Sequence, residues 1–441
     1  MKGIKSKALY LLTVICLFVL AACGGNIDSD NAANGSNESD SEQKTIEFMH
    51  LWPEGSSKQH YEIVNGIIDE FESENPDVTV DVEILGNEQY KEKLKVLSTS
   101  NELPDVGMAW PAGFLEPYVS GDKFAELDDL LDGPLNDSFV AGTAEAYEID
   151  GTTYSLPLEL NITPIYYNQR IFDENGIEVP TTFEELKGAI QTLIDQGITP
   201  IALGNKDRWT GSMWYMYLAD RIGGPEVLNS AIDRSGSFGD EALVQAAEEV
   251  KELVDMGAFI NGFNGLGNDE AKGYFINEQA AMYLMATWDL PEWTTNEDNP
   301  QELRDAVEYM KFPTVEGGEG DTNSYVGGPG VGLFVAENSD VKDEAKDFVA
   351  FFVEKWGEKS VTDAGVIPAT KVDTDGIELP QMYIDILNDL NEASNLTLYA
   401  DVQMSPGVAE VHLDMIQALF GGAVTPEEFT QQQEEALAAE E

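Results

Sequence analysis

Several aromatic and polar side chains stand close together along the sequence, in combinations that suit a ligand rich in hydroxyl groups. The flat face of a tryptophan packs against the apolar C–H face of a sugar ring, while carboxylates, amides and arginine hydrogen-bond to the hydroxyls around its rim. The residues of these types that could line such a site are Trp52, Glu54, Trp110, Glu159, Asn161, Arg208, Trp209, Trp214, Trp288 and Asp289. Their chemistry predicts binding, because no nucleophile-elbow, P-loop, zinc-protease or dinucleotide motif accompanies them in a suitable context.

Each candidate also has an alternative role in which it binds no ligand. A tryptophan in a large domain is often part of the hydrophobic core. Glu54 could be a solvated loop charge, and Arg208 could form a salt bridge. Asn161 could satisfy backbone groups, and Asp289 could cap the following helix. Acidic pairs are also plentiful, so counting alone leaves a surface carbohydrate-active enzyme as an alternative.

The first part of the chain predicts the elements that position two of the tryptophans. Strands are expected at Thr45–Trp52, at Val78–Ile84 with its alternating pattern, and at Pro104–Trp110. Amphipathic helices are expected between them, at Ser56–Glu74 and Glu88–Ser98. Such an alternation with short joints predicts parallel pairing in an α/β sheet, whose ligands lie at the carboxyl ends of the strands. Two of the candidate tryptophans end the first and third strands.

A second α/β unit is predicted after residue 157. Thr182 followed by Glu185 is a capping box that starts a helix. Ile198–Ala202 and Ala280–Met285 are expected to be strands, and Glu241–Met256 an amphipathic helix. Two domains are also expected from length, since about 400 residues exceed one core of ordinary size.

The N-terminus predicts export and lipid attachment. Basic residues precede an apolar run, Ala8–Ala22, which is too short to span a bilayer comfortably, and residues 1–22 therefore predict a signal peptide. Cys23 follows small residues as in a lipobox, and residues 23–44 are polar enough to form a flexible tether. The alternative is an ordinary signal peptide with an incidental cysteine. The only other cysteine is Cys16, so the mature chain is expected to have no disulfide and no thiol chemistry.

The charge of the chain limits its partners. Asp and Glu number 82 against 24 Lys and Arg, a formal net charge of −58. Nucleic acid is therefore excluded as a partner, because phosphate binding needs clustered cations. The acidic residues are spread along the chain, which favours a solvated surface suited to salty or alkaline surroundings over a cationic ligand. With three histidines we expect neither a metal site nor a cofactor.

Five segments, taken in order, carry a resemblance to a known family. They are Leu103–Trp110, Tyr154–Asn161 with Ile165–Asn168, Val179–Leu186, Phe275–Met282 with Trp288, and Gly365–Ala369. Together they resemble the extracellular sugar-binding proteins of bacterial ABC importers, which include maltose-binding and multiple-sugar-binding proteins. The resemblance implies the two-lobed periplasmic-binding-protein-like fold (type II), with two α/β domains joined by hinge strands. The N-terminal lobe would take residues 45–156 and about 312–365, and the C-terminal lobe about 157–310 and 366–441.

The resemblance also implies a function and a site. Trp110 and Trp288 match ligand positions of the family, and Glu159 aligns with a carboxylate that contacts sugar hydroxyls. Pro111 and Ala112 depart from maltose binders, which have an acidic–basic pair there. The expected protein is not an enzyme.

It would bind a carbohydrate, most simply an oligosaccharide, between its lobes and deliver it to separate ABC permease subunits. We expect it as a monomer, held at the outer face of a Gram-positive cell membrane through its lipid alone. A binding protein for another small polar solute, such as a glycerophosphodiester, is the alternative.

Overall fold

The computed structural model describes residues 43–374 and 376–440. The expected signal peptide, Cys23 and all but the last two residues of the expected tether lie outside them. The compact unit that begins at Gln43 holds all the elements below. Within the described residues, no helix combines the length and the apolar character needed to cross a membrane.

The described residues contain 14 strands, most of them short. They are β1 Lys44–His50, β2 Val78–Ile84, β3 Val106–Ala109, β4 Glu148–Ile149, β5 Thr152–Thr153, β6 Leu156–Pro157, β7 Leu160–Ile162, β8 Ile165–Asn168, β9 Ile201–Ala202, β10 Met282–Leu284, β11 Val307–Met310, β12 Ser324–Pro329, β13 Gly332–Val335 and β14 Asn395–Thr397.

The same residues contain 17 α-helices. They are α1 Lys58–Glu74, α2 Asn87–Ser100, α3 Glu116–Ser120, α4 Pro134–Ser138, α5 Gln169–Glu174, α6 Phe183–Asp195, α7 Trp209–Gly223, α8 Glu226–Ile232, α9 Glu241–Met256, α10 Asn268–Ile276, α11 Leu290–Thr294, α12 Gln301–Arg304, α13 Lys342–Lys359, α14 Gln381–Asn391, α15 Ala400–Gln403, α16 Pro406–Phe420 and α17 Pro426–Ala438.

The first lobe is built on a five-stranded sheet in the order β2-β1-β3-β13-β6. β1 pairs in parallel with β2 and β3, as the strand–helix alternation predicts, and β13 returns antiparallel beside β3. Apolar residues of α1 and α13 pack on this sheet and form the first hydrophobic core. The sheet places the residues that follow β1 and β3 at one edge, as expected for parallel strands.

The second lobe is built on a four-stranded sheet in the order β11-β8-β10-β9 and on helices that surround it. The capping box at Thr182 and Glu185 starts α6, as predicted. α7 is buried along nearly its whole length, from Thr210 to Ile222, because α9, α16 and β12 all pack against it. These elements, together with the small sheet β14-β12-β7, enclose the second hydrophobic core.

Three segments of the chain cross between the two cores and hydrogen-bond to one another. The first crosses at residues 157–160, the second at 329–332 and the third at 365–369. The N–H of Leu158 donates to the carbonyl of Val331, and that of Leu160 donates to the carbonyl of Ile367. The three segments therefore form one connected hinge region at the base of both lobes.

The second crossing differs from the sequence-based expectation, which began the return to the first lobe at about residue 312. Phe312, Tyr325 and Val326 all pack in the second core. The reason is that β12 pairs with β7 and β14 of that lobe before the chain continues through Gly330 into β13. The chain therefore re-enters the first lobe close to residue 331.

Candidate ligand-binding cleft

A cavity lies between the two cores, directly beside the hinge region. Its walls come from the loop after β1, from α1 and α2, and from the end of β3 on the first lobe. The second lobe contributes the starts of α7 and α10, the turn after β10, and the segment around α15. Glu159, Gly330 and Val331 of the crossing segments close the hinge side.

Four tryptophans and one tyrosine line the cavity: Trp52, Trp110, Trp209, Trp288 and Tyr399. On the second lobe, the rings of Trp209 and Trp288 meet edge to face at 6.0 Å, and Trp288 lies 5.7 Å from Tyr399. On the first lobe, Trp110 is supported edge to face by Phe114 at 5.0 Å. Trp110, Trp209 and Trp288 are only partly buried, so part of each of these ring surfaces is available to a ligand. Trp110 packs against both cores, and the cavity therefore has aromatic surface on both sides.

The hinge side of the cavity carries a buried polar pair on an aromatic support. Glu159 is only 3% exposed, and its Oε1 lies 3.0 Å from Nε2 of His60. Trp52 packs beside His60 and stacks on Trp356, with ring centroids 4.7 Å apart and planes within 4°. Trp52 thus reaches the cavity wall while most of its surface belongs to the first core.

A buried lysine joins the two sides of the cavity. The ammonium group of Lys272 lies 3.1 Å from Asp289 and 3.4 Å from Glu292, both of the second lobe. It also donates to the backbone carbonyl of Ser56 in the first lobe, at 3.2 Å. Burial disfavours the charged form of Lys272, but the two carboxylates outweigh burial and raise its pKa above the usual range. Burial raises the pKa of Asp289, against the opposing effect of Lys272. Lys272 therefore stays protonated.

Two further polar contacts cross the cleft between the lobes. The indole N–H of Trp209 donates to Glu88 of the first lobe at 3.2 Å. Lys91 of the first lobe lies 4.0 Å from Asp401 of the second, and its ammonium group sits 4.8 Å from the ring centre of Trp110. The structure is therefore a closed form, in which both lobes contact each other around the cavity.

Six of the ten candidate residues line this cavity, namely Trp52, Trp110, Glu159, Trp209, Trp288 and Asp289. Asp289 does not act as a helix cap, because its side chain makes no capping hydrogen bond to α11. Its carboxylate instead accepts hydrogen bonds from Lys272 and from the hydroxyl of Tyr283.

The other four candidates lie elsewhere, where their alternative roles apply. Trp214 is fully buried in the second core, between Phe259 and Phe312, because α7 is packed on all sides. Arg208 forms salt bridges to residues of α16. Glu54 is exposed in its loop.

Asn161 is buried under the hinge, where its side-chain oxygen accepts from Thr287 at 2.9 Å and β7 pairs with β12. None of these four side chains lines the cavity, and a ligand contact by any of them stays a prediction from the sequence.

Sequence reasoning missed several polar residues of the cavity, including Lys91, Lys272, Glu292 and Asp401. Lys272 stands on α10 between Ala271 and Gly273, where nothing in the local pattern marks it as buried. Its partners Asp289 and Glu292 are 17 and 20 residues away. The one feature of the sequence that could have drawn attention to Lys272 is the small number of basic residues, since the chain has only 24 Lys and Arg.

Residues 54–356 match the model of the bacterial extracellular solute-binding protein family. This match spans more than half of the chain. The chain belongs to this family. The resemblance described from the five sequence segments is confirmed.

Curated relatives of this solute-binding protein match it over most of their length. A multiple sugar-binding protein of Streptococcus mutans is 25% identical over 358 residues, which are 80% of this chain and 79% of that protein. A melibiose-, raffinose- and stachyose-binding protein of Bacillus subtilis is 23% identical over 357 residues, 78% of this chain and 76% of that protein.

Solved structures share the whole two-lobed architecture. One comes from a study of xylan utilization by the thermophilic bacterium Caldanaerobius polysaccharolyticus. It is 32% identical, has a TM-score of 0.84, and covers 89% of this chain and 99% of that one. A chitin oligosaccharide binding protein has a TM-score of 0.82 at 24% identity, covering 90% of this chain and 98% of that one. The two-lobed α/β fold expected from the sequence is confirmed.

Proposed function

We propose that this solute-binding protein captures an oligosaccharide in the cleft between its lobes and delivers it to the permease of an ABC importer. The observation that carries the proposal is the pairing of partly exposed tryptophan rings with hydrogen-bonding groups in one cavity. Trp110 faces the cavity from one lobe, and Trp209 and Trp288 face it from the other. Such rings pack on the two faces of sugar units, while carboxylates and amides bind hydroxyls. The relatives named for sugars and the structures linked to xylan and chitin oligosaccharides support the same ligand class.

Charge argues against a phosphate-bearing ligand such as a glycerophosphodiester. The cavity is lined by Lys91 and Lys272, and by the carboxylates of Glu159, Asp269, Asp289, Glu292 and Asp401. Lys272 is neutralised by two of these carboxylates, and Lys91 lies beside Asp401. Both cations are already paired with carboxylates and cannot neutralise an anionic ligand. Carboxylate oxygens, in contrast, readily accept hydrogen bonds from hydroxyl groups. A neutral sugar fits this balance better than an anionic solute.

Attachment at the outer face of the cell membrane through Cys23 is part of the same proposal. The support is the lipobox at Ala21-Ala22-Cys23 and the membership of an extracellular family. Labelling of cells with a radioactive fatty acid should mark the wild-type chain, whereas Cys23→Ser should remain unlabelled and be released. Labelling of the Cys23→Ser chain would contradict attachment at this residue.

The ligand class is tested by tryptophan fluorescence of the unit that begins at Gln43. The panel contains xylo- and chito-oligosaccharides, α-linked glucosides and raffinose, with oligogalacturonate and glycerophosphocholine as anionic and phosphodiester comparisons. A saturable change with one neutral sugar series is expected, because ligand would contact Trp110, Trp209 and Trp288 directly. A response to glycerophosphocholine alone would keep the importer proposal and discard the carbohydrate.

A further inference from the structure

Gly113 of the first lobe is pressed against the backbone of the second lobe. A Cβ atom placed on Gly113 would lie 2.3 Å from the carbonyl oxygen of Met404 and 2.4 Å from that of Gln403. Distances this short do not occur between a real Cβ and a backbone oxygen. The backbone of Gly113 does not itself require glycine, since its φ lies outside the left-handed region. The requirement for glycine comes from the contact alone.

The two sides of this contact belong to different lobes. Gly113 lies in the short turn Ala112–Phe114 after β3, whose neighbours Phe114 and Leu115 pack in the first core. Gln403 ends α15, and Met404 packs in the second core. The contact between the backbone of Gly113 and the backbone of Gln403 and Met404 therefore limits how far the cleft can close at this point.

The contact also stands beside the cavity. Trp110, three residues before Gly113, lines the cavity from the first lobe, and Tyr399, Asp401 and Val402 line it from the second, just before Gln403. Because the two backbones touch immediately beyond these residues, no space remains for a sugar unit between them. Short side chains at Pro111 and Ala112, where maltose binders have an acidic–basic pair, leave the turn small enough for this approach.

We infer that Gly113 closes one end of the cleft, so that the cavity receives a terminal sugar of an oligosaccharide chain and not an internal stretch of polymer. This inference rests on the proposed function. A groove that binds internal stretches of a polysaccharide must be open at both ends. Here the polysaccharide would have to pass through the contact between Gly113 and Met404. Gly113 acts as a positioning residue, because it sets how far the lobes close over the terminal sugar.

The inference about closure is tested by Gly113→Leu, with Gly86→Leu as the matched control. Gly86 also lies in the first lobe, one residue before the cavity residue Asn87, but a Cβ there would meet nothing within 4 Å. Small-angle scattering of the wild type and both variants, each saturated with the responding sugar, should show a larger radius of gyration for Gly113→Leu only. Equal radii for wild type, Gly113→Leu and Gly86→Leu would overturn the role of Gly113. Circular dichroism and the melting temperature report whether each variant is folded.

The inference about the chain end is tested with xylotetraose and tetra-N-acetylchitotetraose, each blocked by a bulky aromatic group at either the reducing or the non-reducing end. A block at one end should abolish binding of the responding sugar, while a block at the other is tolerated. Gly113→Leu should bind the unblocked sugar at least about tenfold more weakly than Gly86→Leu, ~1.4 kcal/mol. Full affinity for both blocked forms would overturn the closed end. Failure of the unmodified protein to bind any sugar would instead contradict the proposed function.

Discussion

Lys272 is the buried charge on which the polar side of the cavity depends. Its ammonium group has acceptors from Asp289, Glu292 and the carbonyl of Ser56, so every proton it carries has a partner. Two of these acceptors belong to the second lobe and one to the first. Lys272 is therefore part of a buried ion pair and also a contact across the cleft. A lysine is almost never fully buried unless it is paired in this way.

We expect Lys272→Met to lower the free energy of unfolding by about 3–5 kcal/mol, because it leaves two buried carboxylates without their cation. Urea denaturation measures this change. The control is Lys272→Met combined with Asp289→Asn and Glu292→Gln, which removes the stranded charges and should recover part of the loss. Equal stability of the wild type and the single variant would contradict a paired buried lysine.

His50 makes the protein sensitive to acid. It ends β1 with a fully buried side chain, and burial lowers its pKa from the usual 6.5 to about 4. Because its pKa is lower in the folded state, its neutral form stabilises the fold above pH 6.5. That contribution is lost as the pH falls from 6.5 through 4.

A His50→Gln variant cannot take up this proton. Between pH 7 and pH 4 the stability of the wild type should therefore fall by about 3 kcal/mol relative to His50→Gln. Chemical unfolding of both proteins at each pH gives the difference. A constant difference across this range would mean that His50 is not titrating as its burial requires.

At the scale of elements, the hinge depends on close backbone pairing between β7 and β12. A Cβ on Gly327 would lie 2.2 Å from the carbonyl oxygen of Asn161 on the neighbouring strand. Gly327→Val would push the two strands apart and is expected to destabilise the protein by at least about 3 kcal/mol, the upper end for overpacking. Thermal and urea unfolding measure the loss.

The control for that change is Gly55→Val, in a loop where a Cβ meets nothing within 4 Å. It should change stability by less than about 0.5 kcal/mol, as surface substitutions usually do. If Gly327→Val proved equally mild, the pairing of β7 with β12 would not be required for the fold.

Several elements of the fold were predictable from local pattern. The alternation along Val78–Ile84 and the apolar period of Glu241–Met256 give β2 and α9 with the same bounds. The capping box of Thr182 likewise gives the start of α6. Local pattern carries this information because each of these elements buries one face only.

The site was predictable most directly where a residue follows a strand. Trp110 follows β3, and Trp288 follows β10, and both reach the cavity. Trp214 lies in the second core and not on the cavity wall, because α7 is buried along nearly its whole length and gives no periodic signal to distinguish core from cleft. Lys272 and Asp401 were not predicted as site residues, because their roles arise from contacts between the lobes and no local sequence pattern reports such contacts.

At the scale of the whole molecule, excess negative charge is the dominant electrostatic feature. The 82 acidic side chains outnumber the 24 basic ones, so a large part of the surface repels itself. Added salt screens this repulsion over distances beyond about 8–10 Å. Raising sodium chloride from low concentration to 1 M should increase the melting temperature by about 2 °C or more, ~2 kcal/mol. A melting temperature that fell with salt would show that the few surface ion pairs outweigh the repulsion.

The central claim is that an oligosaccharide binds between the lobes against the tryptophans of the cavity. Calorimetric titration of the wild type, Trp288→Ala and Trp288→Phe with the responding sugar tests it most directly. The wild type should bind, Trp288→Ala should lose at least about tenfold in affinity at an unchanged melting temperature, and Trp288→Phe should recover part of it. Equal affinity for wild type and Trp288→Ala, or loss of folding without selective loss of binding, would contradict this account of the cleft.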